Sequence, residues 1–329
     1  MKRTVFCHFF NEEYLLPWWL EHHRKYFDHG VMINYGSWDR SVEIIKEICP
    51  TWEIHDSRNE YFAWPDASYL DQEIMCYEID HTGWKVILNV TEFLVGDYRL
   101  FDTVDYSLQV KQVLFVDEDR DYLPTYDKPL WEQKVNAIDF DIAKSEQTNA
   151  FNRHARLIHF DPNYNYPPGR HFSFYNTDQL TIFYYAWSPW NVRMKMRRLQ
   201  TGAKMHPSEQ INWQIPTVVS NEFQRFPHNM YPVYVLEQTY NEMKCVSRPQ
   251  HDMIDHYVKL MNTTEPVRIW KNEYDEARYH RRGRFYKHTH EPDSTNEVER
   301  KYYKENLLSS LFEDKPLPEV KVDGNHFSI

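Results

Sequence analysis

Glycine is scarce in this chain, with 8 in 329 residues. So few glycines cannot build repeated phosphate-cradling loops. Neither G-x-G-x-x-G nor G-x-x-x-x-G-K-[ST] occurs, which sets aside the dinucleotide fingerprint and the P-loop. The 4 cysteines, Cys7, Cys49, Cys76 and Cys245, show no C-x-x-C spacing. Three of them fall in apolar predicted elements, the pattern of reduced core thiols in a reducing compartment. No apolar run approaches the ~20 residues of a membrane-crossing helix. Met1-Lys2-Arg3 leads straight into an apolar strand and not into a signal-peptide core. The expected location is therefore the cytoplasm, with peripheral membrane contact still compatible. A net charge of −11 argues against a general nucleic-acid binder.

What the chain has in quantity is aromatic surface: 24 Tyr, 19 Phe and 11 Trp make up 16% of it. Most aromatics fill cores, but exposed Tyr and Trp also suit stacking on sugar rings. The length is enough for one large domain, or one domain with an appended piece.

The first hundred residues alternate in period. Residues 4–10 are continuously apolar, as a central parallel strand is. Asn11-Glu12-Glu13 is positioned to open a helix running to about Phe27, with Asn11 as N-cap and the two glutamates in the first turn. Pro17 falls early enough in that helix to be tolerated. Leu15, Leu16, Trp19, Leu20 and His23 share its inward face. Gly30 ends the helix, residues 31–34 form a second strand, and a turn over 35–41 leads to a helix over 42–49 stopped by Pro50. A short strand over 52–56 ends on Asp56, and a helix over 67–81 precedes Gly83. Then comes Trp84–Leu94, WKVILNVTEFL, whose β-branched half reads as a buried strand. It hands over to Asn89, Thr91 and Glu92 at the strand's carboxyl end. This rhythm predicts a parallel α/β sheet with right-handed crossovers, whose ligands bind at the strands' carboxyl ends.

Phe10-Asn11-Glu12-Glu13, then Trp19-Leu20 with His23, then Gly30-Val31-Met32-Ile33-Asn34-Tyr35-Gly36-Ser37-Trp38-Asp39-Arg40-Ser41 resembles the opening of family-2-type glycosyltransferases with the GT-A fold. The similar branch reads N-E-E, H, D-x-G-S-T-D-x-S and a W-x-x-x-x-D-x-D-E-F-L strand. Trp84–Leu94 matches that strand in its Trp, Glu-Phe and Leu. Asn163-Tyr164-Asn165-Tyr166-Pro167-Pro168-Gly169-Arg170-His171 resembles the branch's N-Y-x-P-G-x-H signature. Tyr184-Tyr185-Ala186-Trp187-Ser188, with Arg193 and Lys195 after it, is similar to the H-Y-x-x-S motif and its basic helix. The resemblance covers roughly residues 4–205. It implies transfer of a sugar from a nucleotide-diphosphate donor to a glycan or lipid-linked saccharide acceptor.

A leaving nucleoside diphosphate needs its charge neutralised, usually by Mn2+ or Mg2+ on a carboxylate pair. In the family the D-x-D aspartates hold that metal. Here those positions are the uncharged Asn89 and Thr91, and Asn34 also stands where the family commonly has Asp. Three readings follow, in order of preference. The metal is dispensed with and Arg153, Arg156, Arg170, Arg193 and Lys195 supply the charge. Alternatively, Glu92 and His171 hold the metal with help from an amide oxygen. In the third reading turnover is lost and the chain is a catalytically silent sugar- or nucleotide-binding protein assisting glycan assembly.

The resemblance places Phe10, Asn11, Glu13, Asn34, Asp39, Asp56, Asn89, Thr91, Arg153 and Arg170 around the donor. Asp56 is a base contact or an ordinary turn-initiating Asp. Asn11 is an N-cap or a nucleoside contact, and Asp39 is foremost a local cap with Ser37 and Ser41. His171 sits on a loop after a rigid Pro-Pro-Gly turn. Asp117, Glu118, Asp119 and Asp121 follow a strand over 110–116, but a charge run is usually a solvated loop, so no catalytic base is chosen among them; Glu92 is the candidate. Residues 194–204 form a basic helix, most simply a solvated face. The expected organisation is a GT-A-like domain over 1–232 with a central, mostly parallel sheet, and a mostly helical C-terminal extension over 233–329 packed on it. His280, His288 and His290 lack closed metal-site spacing and read as surface residues.

Overall fold

The computed structural model describes residues 1–59, 68–104, 107–116, 122–138, 155–159, 175–191, 193–195, 197, 240–241, 243–267, 269–271, 321–323 and 326–328. It is a mixed α/β structure with a parallel nucleus. Strand β1 (Arg3–Phe9) pairs in parallel with β2 (His29–Asn34) on one side and β4 (Trp84–Ile87) on the other, and β3 (Glu53–Asp56) extends the row beyond β2. Helices α1 (Leu16–His23), α2 (Ser41–Ile48) and α3 (Ser68–Glu78) are the crossovers between them. The expected alternation of the first hundred residues is therefore present, because buried parallel strands read as continuous apolar runs.

The second half adds mainly antiparallel pairings. Strand β6 (Leu108–Val116) pairs with β7 (Asn136–Ile138) and β8 (Ala155–His159), and β8 joins β6 to β4. The long β9 (Tyr175–Trp187) runs parallel to β6 and takes β5 (Glu92–Gly96) antiparallel on its other side. Two short helices, α4 (Leu100–Thr103) and α5 (Leu130–Gln133), fill the connections. Later in the chain β10 (Arg248–Pro249) pairs with β7, β11 (Trp270–Lys271) pairs with β9, and α6 (His251–Leu260) packs on β5 and β9. Strands β12 (Lys321–Asp323) and β13 (His326–Ser328) form a separate two-stranded sheet. The expected boundary at 232–233, the acidic run from Asp117 to Asp121 and His280, His288 and His290 lie outside the described residues.

Local boundaries differ from the sequence reading in three places. Helix α1 starts at Leu16, so the glutamates of Asn11-Glu12-Glu13 precede it and its first turn carries no acid. It ends at His23, and Gly30 lies inside β2. A Cβ at Gly30 would come within 2.1 Å of the Trp52 ring, which is why the strand has glycine there. Finally, Trp84–Leu94 is two strands with a turn between them, and Gly83, with φ +92°, turns the chain into the first.

That turn is where α1 docks. Trp19, fully buried, donates Nε1–H to the Glu92 carbonyl at 2.9 Å, and His22 Nε2 donates to the Leu94 carbonyl at 2.6 Å. His23 donates Nδ1–H to the Trp19 carbonyl at 2.9 Å, which leaves its Nε2 to accept the Leu94 N–H at 3.2 Å. Burial pushes His22 down to about 4 and His23 well below its ordinary value, so both stay neutral in their bonded tautomers. Cys7, Cys49 and Cys76 are buried and form no disulfide among the described residues, and burial raises Cys49 to about 12 and Cys76 to about 11. Among the described residues no helix is long and apolar enough to cross a membrane.

Candidate functional site

Parallel strands present their carboxyl ends on one edge, where the chain must leave the sheet and backbone groups are free to meet a ligand. Here that edge carries Phe10 and Asn11 after β1, Asn34 and Tyr35 at the end of β2, Asp56 and Ser57 at the end of β3, and Asn89 after β4. Register places Asn34 directly beside Asp56, and the Asn34 amide donates to Asp56 Oδ1 at 3.1 Å. Asn34 Oδ1 accepts the Ser37 N–H at 2.8 Å, so the asparagine serves as a local clasp for the loop after β2. Asp56 is exposed, with its carboxylate at the outer margin of the edge.

Asn11 adopts a left-handed conformation with φ 52° and is not the N-cap of α1. Asparagine is favoured in both settings, which is why the same residue read as a cap. Its Oδ1 accepts the N–H groups of Trp38 at 3.0 Å and Asp39 at 3.4 Å, and its own N–H bonds Ser37 Oγ at 3.0 Å. Asn11 Nδ2 is buried and has no hydrogen-bond partner among the described residues. A buried amide donor left unmade costs about 1–3 kcal/mol, so this one is poised for an acceptor. Asp39 fills both its oxygens, accepting Glu13 N–H at 3.0 Å and Ser41 N–H at 2.9 Å; it makes the expected local turn with Ser41, whereas Ser37 bonds Asn11 and Asn34 instead. Glu13 Oε2 accepts Arg40 N–H at 3.2 Å, Glu12 N–H bonds Ser41 Oγ at 2.8 Å, and Phe10 is half-buried. Trp38 projects from the same loop with 73% of its surface exposed, an open stacking face beside Asn11.

Two buried charges brace this edge, and spacing alone did not mark either. Glu12 forms a two-pronged ion pair with Arg197, each N–O distance 2.5 Å, with side chains 8% and 14% exposed. Burial pushes the Glu12 carboxyl upward, and the Arg197 guanidinium opposes that. On the other side of the sheet the α3 carboxylate Glu73 is fully buried. It accepts from Arg58 N–H at 2.7 Å, Ser57 Oγ at 2.9 Å and Asn59 Nδ2 at 3.1 Å, with Tyr35 OH at 3.4 Å and His8 Nε2 at 3.2 Å. Burial raises its carboxyl, but the His8 contact and the donors from the 57–59 loop outweigh it and hold the group below its ordinary value. Glu73 thus fixes the loop that follows Asp56. In the sequence it looks like any helical acid, because only the assembled loop surrounds it.

The altered metal position can be tested on its donor set. Asn89 N–H donates to Glu92 Oε2 at 2.8 Å, and the Asn89 carbonyl accepts Glu92 N–H at 2.9 Å. Glu92 Oε1 accepts from Gln112 Nε2 at 2.6 Å, and Glu92 is fully buried, as is nearly all of Thr91. The Glu92 carboxylate closes the turn between β4 and β5. A hard cation needs several oxygens open to it, and the described residues here do not fit one. Arg153, Arg170 and His171 lie outside the described residues, and Arg156 is placed in β8 by its backbone alone. Of the other expected cations, Arg193 is exposed and lies 5.6 Å over the Tyr14 ring, while Lys195 lies 5.6 Å from the Trp190 ring.

No protein-family model matches the chain, and no curated protein matches it. Among solved structures it is similar to S. aureus TarS 1–349, at TM-score 0.32 and 9% identity over 98% of this chain and 95% of that one. It is also similar to S. aureus TarS 1–349 in complex with UDP, at TM-score 0.31 and 10% identity over 83% of this chain and 97% of that one. At those values no residue is carried across.

Proposed function

We propose that this chain binds the nucleoside diphosphate of a nucleotide-sugar donor at the carboxyl edge of β1–β4 and acts as a glycosyltransferase. The observation that carries the reading is the convergence of Asn11, Asn34 and Asp56 on one parallel-sheet edge, with the buried Asn11 Nδ2 lacking an acceptor among the described residues. The exposed Trp38 ring adds a face for a base or sugar to stack on.

In this reading Asp56 accepts from the base, Asn11 donates to a polar group of the nucleoside, and protein cations carry the diphosphate charge in place of a metal. Arg193 and Arg58, both exposed, are the described candidates for that last role. The uncharged Asn89 and Thr91, and the fully engaged Glu92, support the metal-free version. The burial of Glu92 also favours the second reading, a binding protein without turnover, since the motif's one carboxylate is turned inward.

Calorimetric titration of nucleoside diphosphates, UDP among them, in EDTA and again with Mn2+, tests the binding claim. Binding in EDTA that Asp56→Ala weakens supports it, and no binding of any of them under either condition rejects it. Hydrolysis or transfer from UDP-sugars then separates the enzyme from the silent binder.

A further inference from the structure

The opposite end of the sheet holds a second polar cluster, built by different residues on the face covered by α3. His29 opens β2, Glu53 opens β3, and His81 lies three residues beyond α3. Val31 pairs with Glu53, so the strand alternation that puts His29 on the Val31 face also puts it beside Glu53. Asn34 lies five steps along β2 from His29, about 16 Å at the usual strand rise.

The cluster is close-set. His29 Nε2 lies 2.8 Å from Glu53 Oε1, and His81 Nε2 lies 3.5 Å from the same oxygen. The candidate ligand atoms of His29, Glu53 and His81 all lie within 4.8 Å of one another. The His29 and His81 rings stack at 5.5 Å, inclined by 18°, so they lie nearly parallel. His55, two residues after Glu53 and on the same face, holds the other oxygen, Oε2, at 2.8 Å. Side-chain exposures of 15%, 10% and 43% for His29, His81 and Glu53 leave an entry from solvent while removing most of the competing water.

The His81 tautomer is the telling feature. Its Nδ1 lies 2.8 Å from the Tyr77 carbonyl, which can only accept, so Nδ1 carries the proton. In the neutral ring Nε2 then presents a lone pair, and it presents it to a carboxylate oxygen. Two lone pairs facing one another repel unless a positive charge stands between them. A histidine whose Nδ1–H is anchored on a backbone carbonyl and whose Nε2 faces a carboxylate and a second imidazole is arranged as metal-ligating histidines are.

We propose that His29, Glu53 and His81 form a binding site for a zinc-class divalent cation, with His55 positioning the Glu53 carboxylate. Two imidazoles and one carboxylate suit Zn2+ and its first-row neighbours, and suit Mg2+ or Ca2+ poorly. Tetrahedral ligands at bonds of 2.0–2.1 Å stand roughly 3.4 Å apart, close to the present His81–Glu53 spacing, and water fills the fourth position. The ion would tie the amino ends of β2 and β3 to the end of α3, bracing the sheet from the end away from the nucleotide edge. The site does not depend on the proposed function, and neither fails with the other.

The test uses the full chain stripped with EDTA, titrated with Zn2+ by calorimetry and with Co2+ by visible absorption. One equivalent should bind, the melting temperature should rise, and Co2+ should give the intense d–d bands of low-coordinate geometry. Glu53→Gln and His81→Gln should each weaken binding at least tenfold, whereas His256→Gln, on α6, should leave it unchanged. With 17 histidines in the chain, that control separates this site from adventitious binding. Should a cluster variant fail to fold, imidazole NMR of the wild-type chain decides: stoichiometric Zn2+ shifts the rings of His29 and His81. The proposal is overturned by wild-type protein that binds no Zn2+, by cluster variants that bind as wild type, or by shifts confined to other histidines.

Discussion

Replacing Arg197 by Met should destabilise the fold in a way that depends on pH. The guanidinium makes two 2.5 Å bonds to Glu12, and both side chains are nearly buried. Removing one partner of such a pair leaves a carboxylate in a poor solvent, at a cost of about 3–5 kcal/mol. Proton uptake limits that cost. Burial already raises the Glu12 carboxyl above its ordinary 4.5, and it is Arg197 that opposes the rise. A folded-state value raised above the unfolded one gives stability that is fully present below the unfolded value and is lost as pH rises through the folded value. The variant should therefore be near wild-type stability below pH 4.5. Above that it should lose stability progressively as pH rises, by up to about 1.4 kcal/mol per unit, until pH passes the raised Glu12 value. Urea unfolding at a series of pH values measures this directly. The double variant Glu12→Gln with Arg197→Met should recover most of the loss at pH 7, because no charge remains to be buried. A single-variant loss under ~1 kcal/mol at pH 7, or a loss equal at pH 4.5 and 7, would refute the reasoning.

Other expectations follow from the same geometry. Glu73→Ala should cost about 3 kcal/mol or more, since it strips the acceptor from Ser57, Arg58 N–H and Asn59 together, and thermal unfolding reads it. Because Glu73 is held below its ordinary value, its contribution is present above pH 4.5 and is lost as pH falls further; Glu73→Gln should flatten that acid limb. His22 is held at about 4, so the stability from keeping it neutral should decline as pH falls from 6.5 toward 4, by at most about 3.4 kcal/mol; a His22→Gln profile equally steep over that window would contradict it. Asn89→Asp with Thr91→Asp should make nucleotide binding respond to Mn2+ where the wild type does not, and equal Mn2+ response in both would count against the metal-free reading.

The parallel nucleus was legible because its signal is local. Continuous apolar strands, helical spacing at Leu15, Leu16 and Trp19, and Asp56 at a strand end can each be read within a dozen residues. The convergence of Asn34 and Asp56 followed from topology, since neighbouring parallel strands end together. The antiparallel half was not legible, because β5 meets β9 nearly ninety residues later and nothing in either strand names its partner. Asn11 misread as a cap because a short amide side chain serves helix starts and left-handed turns alike. Arg197 sat in a run that reads as a solvated basic face, and only the fold brings it to Glu12.

The central claim is that a nucleoside diphosphate binds at the carboxyl edge of β1–β4 without a metal. Titration of UDP into wild type and Asp56→Ala in the presence of EDTA tests it most directly. The account predicts saturable binding to the wild type and affinity lower by about 1–3 kcal/mol in the folded variant. Equal affinity in the two proteins, or wild-type binding that vanishes in EDTA and returns with Mn2+, would contradict it.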